Sequence, residues 1–215
     1  MKDLEFIASQ LRKPSGDFAA TIAEKMNEGN QPLYDLTFNR LDLNKGDTIL
    51  EIGFGNGFHF PELLSLEDSL TVYGIDYSED MVRQAAGRNK KLIKKGQLFL
   101  AEGGSDRLPY ADHTFDIVFC NMVIYFWDNP EVHLKEIRRV MKSTGKFYTG
   151  MRSKETMLQL PFTKFGFKLY SVEEWSSLLK DNGFTIKNTY QKTDPGFEES
   201  GKVIRLESIC IAAEL

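Results

Sequence analysis

A stretch in the first third of the chain carries the residue types best suited to chemistry. Ile49-Leu50-Glu51-Ile52-Gly53-Phe54-Gly55-Asn56-Gly57-Phe58 sets three glycines at alternate positions directly after a short apolar run. Glycines so placed let the backbone turn sharply and approach a ligand closely, because no Cβ intervenes. Nineteen residues beyond Gly57, Asp76 ends a second apolar run. A carboxylate at that place can accept hydrogen bonds from both hydroxyls of a ribose, so the two features together describe a nucleoside-binding site at the carboxyl edge of a sheet. Singly, the glycines read equally as a tight strand-to-helix turn and Asp76 as a solvated charge at a helix start. Their combination, with a strand leading into the loop, is what points to a nucleoside.

The elements that must position these residues follow from periodicity. From Asp47 onward, short apolar runs alternate with helical stretches. Thr48–Ile52 and residues 70–75, 97–101, 115–120 and 146–150 read as strands, the fourth nearly continuous in apolar character and so covered on both faces. Ser78 caps a helix with Glu79 and Asp80 in its first turn and Met81, Val82, Ala85 and Ala86 on one face. Asn129-Pro130-Glu131 starts another, with Leu134, Ile137 and Met141 inward and Gly145 past its end. Strands alternating with helices imply right-handed crossovers and a doubly wound, mainly parallel sheet with helices on both faces. In the tail, Ser171-Val172-Glu173-Glu174 is a capping box, and residues 184–190 and 203–212 make two strands joined by a polar loop containing Pro195-Gly196. So short a connection makes those two antiparallel. Before residue 42 the chain reads as helical, with Phe18, Ala19, Ile22, Ala23 and Met26 on one face, a stop at Gly29-Asn30, and a new short helix opened by Pro32.

Composition bounds the classes. The 215 residues suit a single domain of α/β type, with residues 1–41 an N-terminal helical lid or extension, 47–151 the core and 152–215 the C-terminal helix and strand pair. A net charge of −4 disfavours a nucleic-acid partner held through phosphates. Asp3 and Glu5 interrupt what a signal peptide would keep apolar, and no run of the sequence is long enough to span a bilayer. Cys120 and Cys210 form no CxxC pair and fit buried thiols in a reducing cytosol. A soluble, cytoplasmic protein is expected.

The spacing Gly53-x-Gly55-x-Gly57, with Phe58 where a dinucleotide fingerprint has its last glycine and Glu51 two residues ahead of the first, resembles the first motif of the class I S-adenosylmethionine-dependent methyltransferases. Tyr73-Gly74-Ile75-Asp76-Tyr77-Ser78-Glu79-Asp80-Met81 looks like that family's ribose-binding segment. Leu108-Pro109-Tyr110 before Phe115-Asp116-Ile117-Val118 looks like the approach to its fourth strand, and LKEIRRVMKSTG, residues 134–145, like the helix and turn before its fifth. The resemblance spans residues 47–151 and is nearest the small-molecule branch that includes quinone C-methyltransferases and type 11 domains.

The resemblance implies a Rossmann-like, seven-stranded sheet of order 3-2-1-4-5-7-6 with strand 7 antiparallel. It also implies S-adenosyl-L-methionine as cofactor and a small-molecule acceptor, apolar or aromatic if Phe162, Phe165, Phe167 and Trp175 form its wall. By the same token Gly53, Phe54, Gly55 and Gly57 pass along the methionine and ribose, Glu51 orients the amino group and Asp76 holds the ribose. Tyr77 and Met81 then flank the adenine, while Cys120 and Asn121 line the methionine end. Gly104 stands where the family often carries an Asp for the adenine amino group, so Ser105 and Asp106 are the expected substitutes.

Methyl transfer needs a dedicated base only if the acceptor must first lose a proton. Tyr125 is the one weak catalytic candidate, against an aromatic packing role beside Phe126 and Trp127. His59 opens the helix after the glycine loop and either faces the cofactor or, the preferred reading, stands partly exposed on its helix; His113 and His133 have no metal-ligand company, so no metal site is expected. Arg12, Lys13, Asn27 and Tyr34 either reach into the pocket from a lid or are solvated. In the second case, deleting residues 1–30 would leave cofactor affinity unchanged. Two rival functions remain at this point: a nucleoside-binding protein without turnover, and a nicotinamide-dependent oxidoreductase, which lacks here the Tyr-x-x-x-Lys pair of short-chain dehydrogenases.

Overall fold

Local sequence preferences become a layered structure in the computed structural model, which describes residues 3–199 and 202–215. Residues 1, 2, 200 and 201, part of the expected N-terminal segment and tail loop, lie outside the described residues. The strands are β1 (Thr48–Ile52), β2 (Thr71–Asp76), β3 (Leu98–Glu102), β4 (Phe115–Asn121), β5 (Met141–Arg152), β6 (Thr185–Thr193), β7 (Phe197–Glu199), β8 (Lys202–Ile204) and β9 (Glu207–Glu214). Seven of them form one sheet in the order β3-β2-β1-β4-β5-β9-β6, with β7 and β8 a separate hairpin. Strands β1 to β5 pair in parallel, and β9 runs antiparallel to both β5 and β6. This is the Rossmann-like order expected from the sequence, with β9 in the place of the reversed last strand.

The central strands are mainly apolar because both faces are covered. Along β1, Leu50 and Ile52 enter the core beneath α6 (Pro130–Val140) and α8 (Val172–Asp181), whereas Ile49 enters the core beneath α2 (Ala19–Phe38) and α3 (Phe60–Leu66). In β4, Val118 and Cys120 join the first cluster, Ile117 and Phe119 the second. Among the described residues, no helix is long and apolar enough to cross a membrane.

Element boundaries depart most from the sequence reading at three places. Residues 19–38 form one helix, α2, with Pro32 inside it rather than a break at Gly29-Asn30. Tertiary packing of Leu33, Leu36 and Phe38 holds the segment helical across a residue that cannot donate to the carbonyl four positions back. Helix α6 stops at Val140, and Met141 instead pairs with Phe115 at the start of β5, the register shifting before Ile117 meets Lys146. In the tail, the last strand begins at Glu207 rather than residue 203, because residues 202–204 are taken into the small hairpin. The capping box of α8 forms as read, with Ser171 and Glu174 bonded reciprocally.

The N-terminal helix α1 (Leu4–Arg12) meets the turn Pro161–Lys164, which follows α7 (Lys154–Met157), above the carboxyl ends of the strands. They thereby roof the site described next. Helices α4 (Glu79–Arg88) and α5 (Lys90–Lys94) connect β2 to β3.

Candidate active site

Backbone geometry comes first at the loop after β1. Gly53, Gly55 and Gly57 all have positive φ, at 74°, 59° and 67°, which L side chains rarely adopt. The Gly53 N–H donates to the Ile75 carbonyl at 2.7 Å, tying the loop to β2. Any side chain at Gly53 would collide with Val123, and one at Gly57 would crowd Ala85 and Asn89. Gly55 faces open space, so a Cβ there would fill the very room a ligand needs.

Asp76 organises the edge of β2. One carboxylate oxygen accepts the Gly55 N–H at 2.8 Å and the other the Ser78 N–H at 2.8 Å. A carboxylate has about four lone-pair sites, so each oxygen keeps capacity for a further donor. Burial pushes its pKa up to about 6, against the lowering effect of those two N–H bonds and of Lys13. The Ser78 hydroxyl caps α4 and also donates to the Pro14 carbonyl, while Gly16 N–H donates to Asp80 at 2.8 Å. Lys13 places its ammonium 4.1 Å from the centroid of the Tyr77 ring. The N-terminal segment is therefore fastened across the end of β2.

Beneath the loop lies a polar cluster. Glu51 is buried, and Tyr34 from α2 donates its hydroxyl to Glu51 Oε1 at 2.7 Å. Burial raises the Glu51 carboxyl to about 8, and raises the Tyr34 phenol well above its usual value. The Tyr34 ring stacks on His59 with centroids 3.6 Å apart. His59 is buried rather than partly exposed, because Tyr34 and Phe38 of α2 cover it. Desolvation lowers its pKa to about 4, so the imidazole is neutral. Its Nδ1 lies 3.8 Å from Glu62, and Nε2 has no hydrogen-bond partner among the described residues. On the β4 side, Asn121 Oδ1 accepts from the Thr37 hydroxyl at 2.9 Å, while its Nδ2 is likewise without a partner.

These groups border a cavity of about 1370 Å³ at the carboxyl edge of the sheet. Of the residues expected to hold a cofactor, Gly53, Phe54, Gly55, Asp76, Tyr77, Met81, Ser105, Asp106 and Asn121 line it. Glu51, Gly57 and Cys120 do not; they stand behind the wall, Cys120 wholly in the core. Ser105 is already engaged with His133, its Oγ 2.8 Å from Nδ1, and His133 stacks flat on Trp127 at 4.6 Å. Asp106 folds back over Gly104, its carboxylate filling the space a side chain at 104 would need.

Tyr125 is also off the cavity wall. Its hydroxyl donates to the Arg152 carbonyl at 3.1 Å and accepts the Arg152 N–H at 2.6 Å, and burial raises its pKa far out of reach of a base at neutral pH. The wall beyond β4 includes Phe162 and Phe167, as expected, but not Phe165 or Trp175. From the N-terminal segment Arg12, Asn27 and Tyr34 line the cavity and Lys13 does not. Sequence reasoning missed Arg152 and Asp194, whose ionised side chains are buried together on the wall. Neither belongs to a local motif; they meet only because β5 and the end of β6 flank β9.

The room and donors fit a nucleoside carrying an amino acid. Gly55 offers an unobstructed backbone, Asp76 spare acceptor sites, and Asn121 and His59 unpartnered nitrogens along one wall. A typical small-molecule site measures about 300–1,000 Å³, so this one has room for two ligands side by side.

Comparison with known proteins agrees. The sequence profile of a methyltransferase domain matches residues 50–149. The uncharacterized methyltransferase YdaC of Bacillus subtilis (strain 168) is 32% identical over 126 residues, covering 59% of this chain and 67% of its own. An uncharacterized protein of Methanocaldococcus jannaschii is 31% identical over 166 residues, 74% of this chain and 73% of that one. Among solved structures, a chain in the Haloferax volcanii complex of a methyltransferase with the Trm112 methyltransferase activator superposes with a TM-score of 0.76 over 98% of both chains. At 19% identity that match speaks for the fold. These matches remove the oxidoreductase reading, and the chain belongs to the class I S-adenosylmethionine-dependent methyltransferases, enzymes here acting on an unidentified small-molecule substrate.

Proposed function

We propose that residues 1–215 act as one domain in which the ends of β1, β2 and β4 hold S-adenosylmethionine. The remainder of the cavity then receives a small, mainly apolar acceptor. The observation that carries this reading is Asp76, which lines the cavity and whose two oxygens already fix the glycine loop and the start of α4 while each keeps a spare lone pair. Those lone pairs accept the ribose hydroxyls. Tyr77 and Met81 flank the adenine, and Asp106, lying over Gly104, replaces the missing carboxylate for its amino group, since Ser105 is occupied by His133. Asn121 presents Nδ2 to the methionine end, with the Cys120 backbone beside it. Glu51, behind the wall, attracts the ammonium through water.

When bound, the cofactor supplies a methyl group made electrophilic by its sulfonium. The chain's own work is to hold the acceptor in line with that group and exclude water. Orientation of this kind lowers a barrier by about 7–11 kcal/mol. No side chain need serve as a dedicated base, and Tyr125 is held off by its two backbone bonds. Helix α1 closes the roof, with Leu4, Ile7 and Leu11 turned to the cavity and Arg12 bridging to Asp128 at 3.1 Å. Support for an apolar acceptor comes from Val123, Phe126, Met157, Leu160, Phe162 and Phe167 on the same wall. The buried thiols Cys120 and Cys210 suit a reducing cytoplasm.

Titration of S-adenosylmethionine into wild-type and Asp76→Ala protein tests the assignment. A loss of affinity of about tenfold or more with the fold retained is expected. Unchanged affinity would show that the ribose lies elsewhere.

A further inference from the structure

The acceptor end of the cavity contains a built polar site in an otherwise apolar wall. Arg152 closes β5 and is 1% exposed. One of its terminal nitrogens, Nη1, contacts both the Asp194 carboxylate and the Ser208 hydroxyl, and Nη2 donates to the Gly29 carbonyl at 2.7 Å. Ser208 in turn donates to Asp194 Oδ1 at 2.7 Å. Every terminal nitrogen of the guanidinium is thus engaged, yet Nε has no hydrogen-bond partner among the described residues. Asp194 is 6% exposed, and both ionised side chains line the cavity beside Met157, Leu160, Phe162 and Leu206.

Such an arrangement is weakly accounted for by stability alone. Taking two charges out of water offsets most of their attraction, and an apolar pair of equal volume commonly holds a fold as well. A donor left without a partner in a dry wall is a cost unless a ligand completes it. Its position is also apt. Gly150, two residues before Arg152, accepts the Met122 N–H at 2.9 Å, so Arg152 flanks the end of β4, where Asn121 faces the proposed methionine end.

We infer that Arg152 is a specificity-determining residue whose Nε–H binds a neutral oxygen or nitrogen acceptor on an otherwise apolar methyl acceptor, with Asp194 and Ser208 holding the guanidinium in place. Asp194 cancels the guanidinium charge within the site. An anionic substrate would set a second carboxylate against Asp194 in a low-dielectric wall, or expel Asp194 and leave it buried and unpaired, and either is unfavourable. The site therefore selects neutral molecules over acids of the same shape. This rests on the methyltransferase reading above and adds the chemical class of its substrate.

The test uses protein saturated with S-adenosylhomocysteine and three probes on one skeleton: naphthalene, 2-naphthol and 2-naphthoate, each titrated by calorimetry. The expected result is 2-naphthol bound about tenfold more tightly than either of the others. In Arg152→Lys that preference falls to within about twofold, while S-adenosylhomocysteine affinity stays within about twofold of wild type. The double variant Arg152→Met with Asp194→Leu removes both charges and guards against a fold lost to an unpaired carboxylate; it too binds naphthalene and naphthol alike. Tighter binding of the naphthoate, a naphthol preference that survives both variants, or no binding of any probe overturns the assignment. Failure of the methyltransferase reading is separate and shows earlier, as no binding of S-adenosylhomocysteine to wild-type protein.

Discussion

The two halves of the cavity are built by different means. At the ends of β1 and β2, backbone sets the wall: three glycines of positive φ shape the loop, Gly53 and Gly55 line the cavity, and one carboxylate accepts the N–H groups of Gly55 and Ser78. At the ends of β5 and β6, the wall is made of side chains drawn from α1, residues 152–167, and the Asp194 and Leu206 region. The first half is specified within thirty or so residues of chain and tolerates little change. The second is assembled from distant segments and can be revised one residue at a time, which suits a fold that keeps one cofactor and varies its acceptors.

The sharpest way to break this comparison is Gly53→Ala. A left-handed conformation forced on an L residue costs about 1–2 kcal/mol. Collision with Val123 adds about 1–3 kcal/mol more. Chemical denaturation is expected to show that loss together with loss of cofactor binding. A tolerated alanine would mean that the loop is not set by its backbone.

This contrast also explains what could be read from sequence. The Gly53-x-Gly55-x-Gly57 spacing and the acid at 76 were legible because each depends on backbone conformation or burial along a short segment, whereas the strand order followed only from the family resemblance those motifs carry. His59 was misread, since its neighbours in the chain give no sign that Tyr34 and Phe38 of α2 pack over it. Gly29-Asn30 was read as a helix stop and Pro32 as the start of a new helix because propensity is local, whereas burial of Leu33, Leu36 and Phe38 is not. Arg152 and Asp194 were invisible for a related reason: forty-two positions separate two residues that meet across β9.

A second prediction concerns charge beneath the loop. Glu51 is raised from 4.5 to about 8 and Asp76 from 3.8 to about 6, both chiefly by burial. The folded ligand-free protein therefore holds these protons longer than the unfolded chain does. Their contribution is full below the unfolded values and is lost as pH rises through the folded ones. The melting temperature of ligand-free protein should fall between pH 5 and 8, and Glu51→Gln should flatten the upper part of that fall. Cationic S-adenosylmethionine favours ionised Glu51, so its binding should release protons near pH 7, seen as a heat that varies with buffer. A melting curve that rises with pH in this window would contradict the burial argument.

Tyr125→Phe sharpens the comparison from the other side. It removes two buried bonds to the Arg152 backbone and should cost about 1–3 kcal/mol in denaturation, with cofactor affinity unchanged. A shifted pH profile of methyl transfer would instead restore the tyrosine to catalysis. The smallest expected effect is that of removing residues 1–15, which carry α1, the Lys13–Tyr77 contact and the Pro14–Ser78 bond. Cofactor dissociation, followed by stopped flow, should quicken by about three- to tenfold, as fits the loss of one cation–π contact and one hydrogen bond. An unchanged rate would mean that the N-terminal segment rests on the site without closing it.

The central claim is that Asp76 grips the ribose. Competition by adenosine and by 2′,3′-dideoxyadenosine against bound S-adenosylhomocysteine, in wild-type and Asp76→Ala protein, isolates that contact. Wild type should prefer adenosine by about tenfold or more and the variant should not discriminate between the two. Equal competition by both nucleosides in wild type would contradict the account.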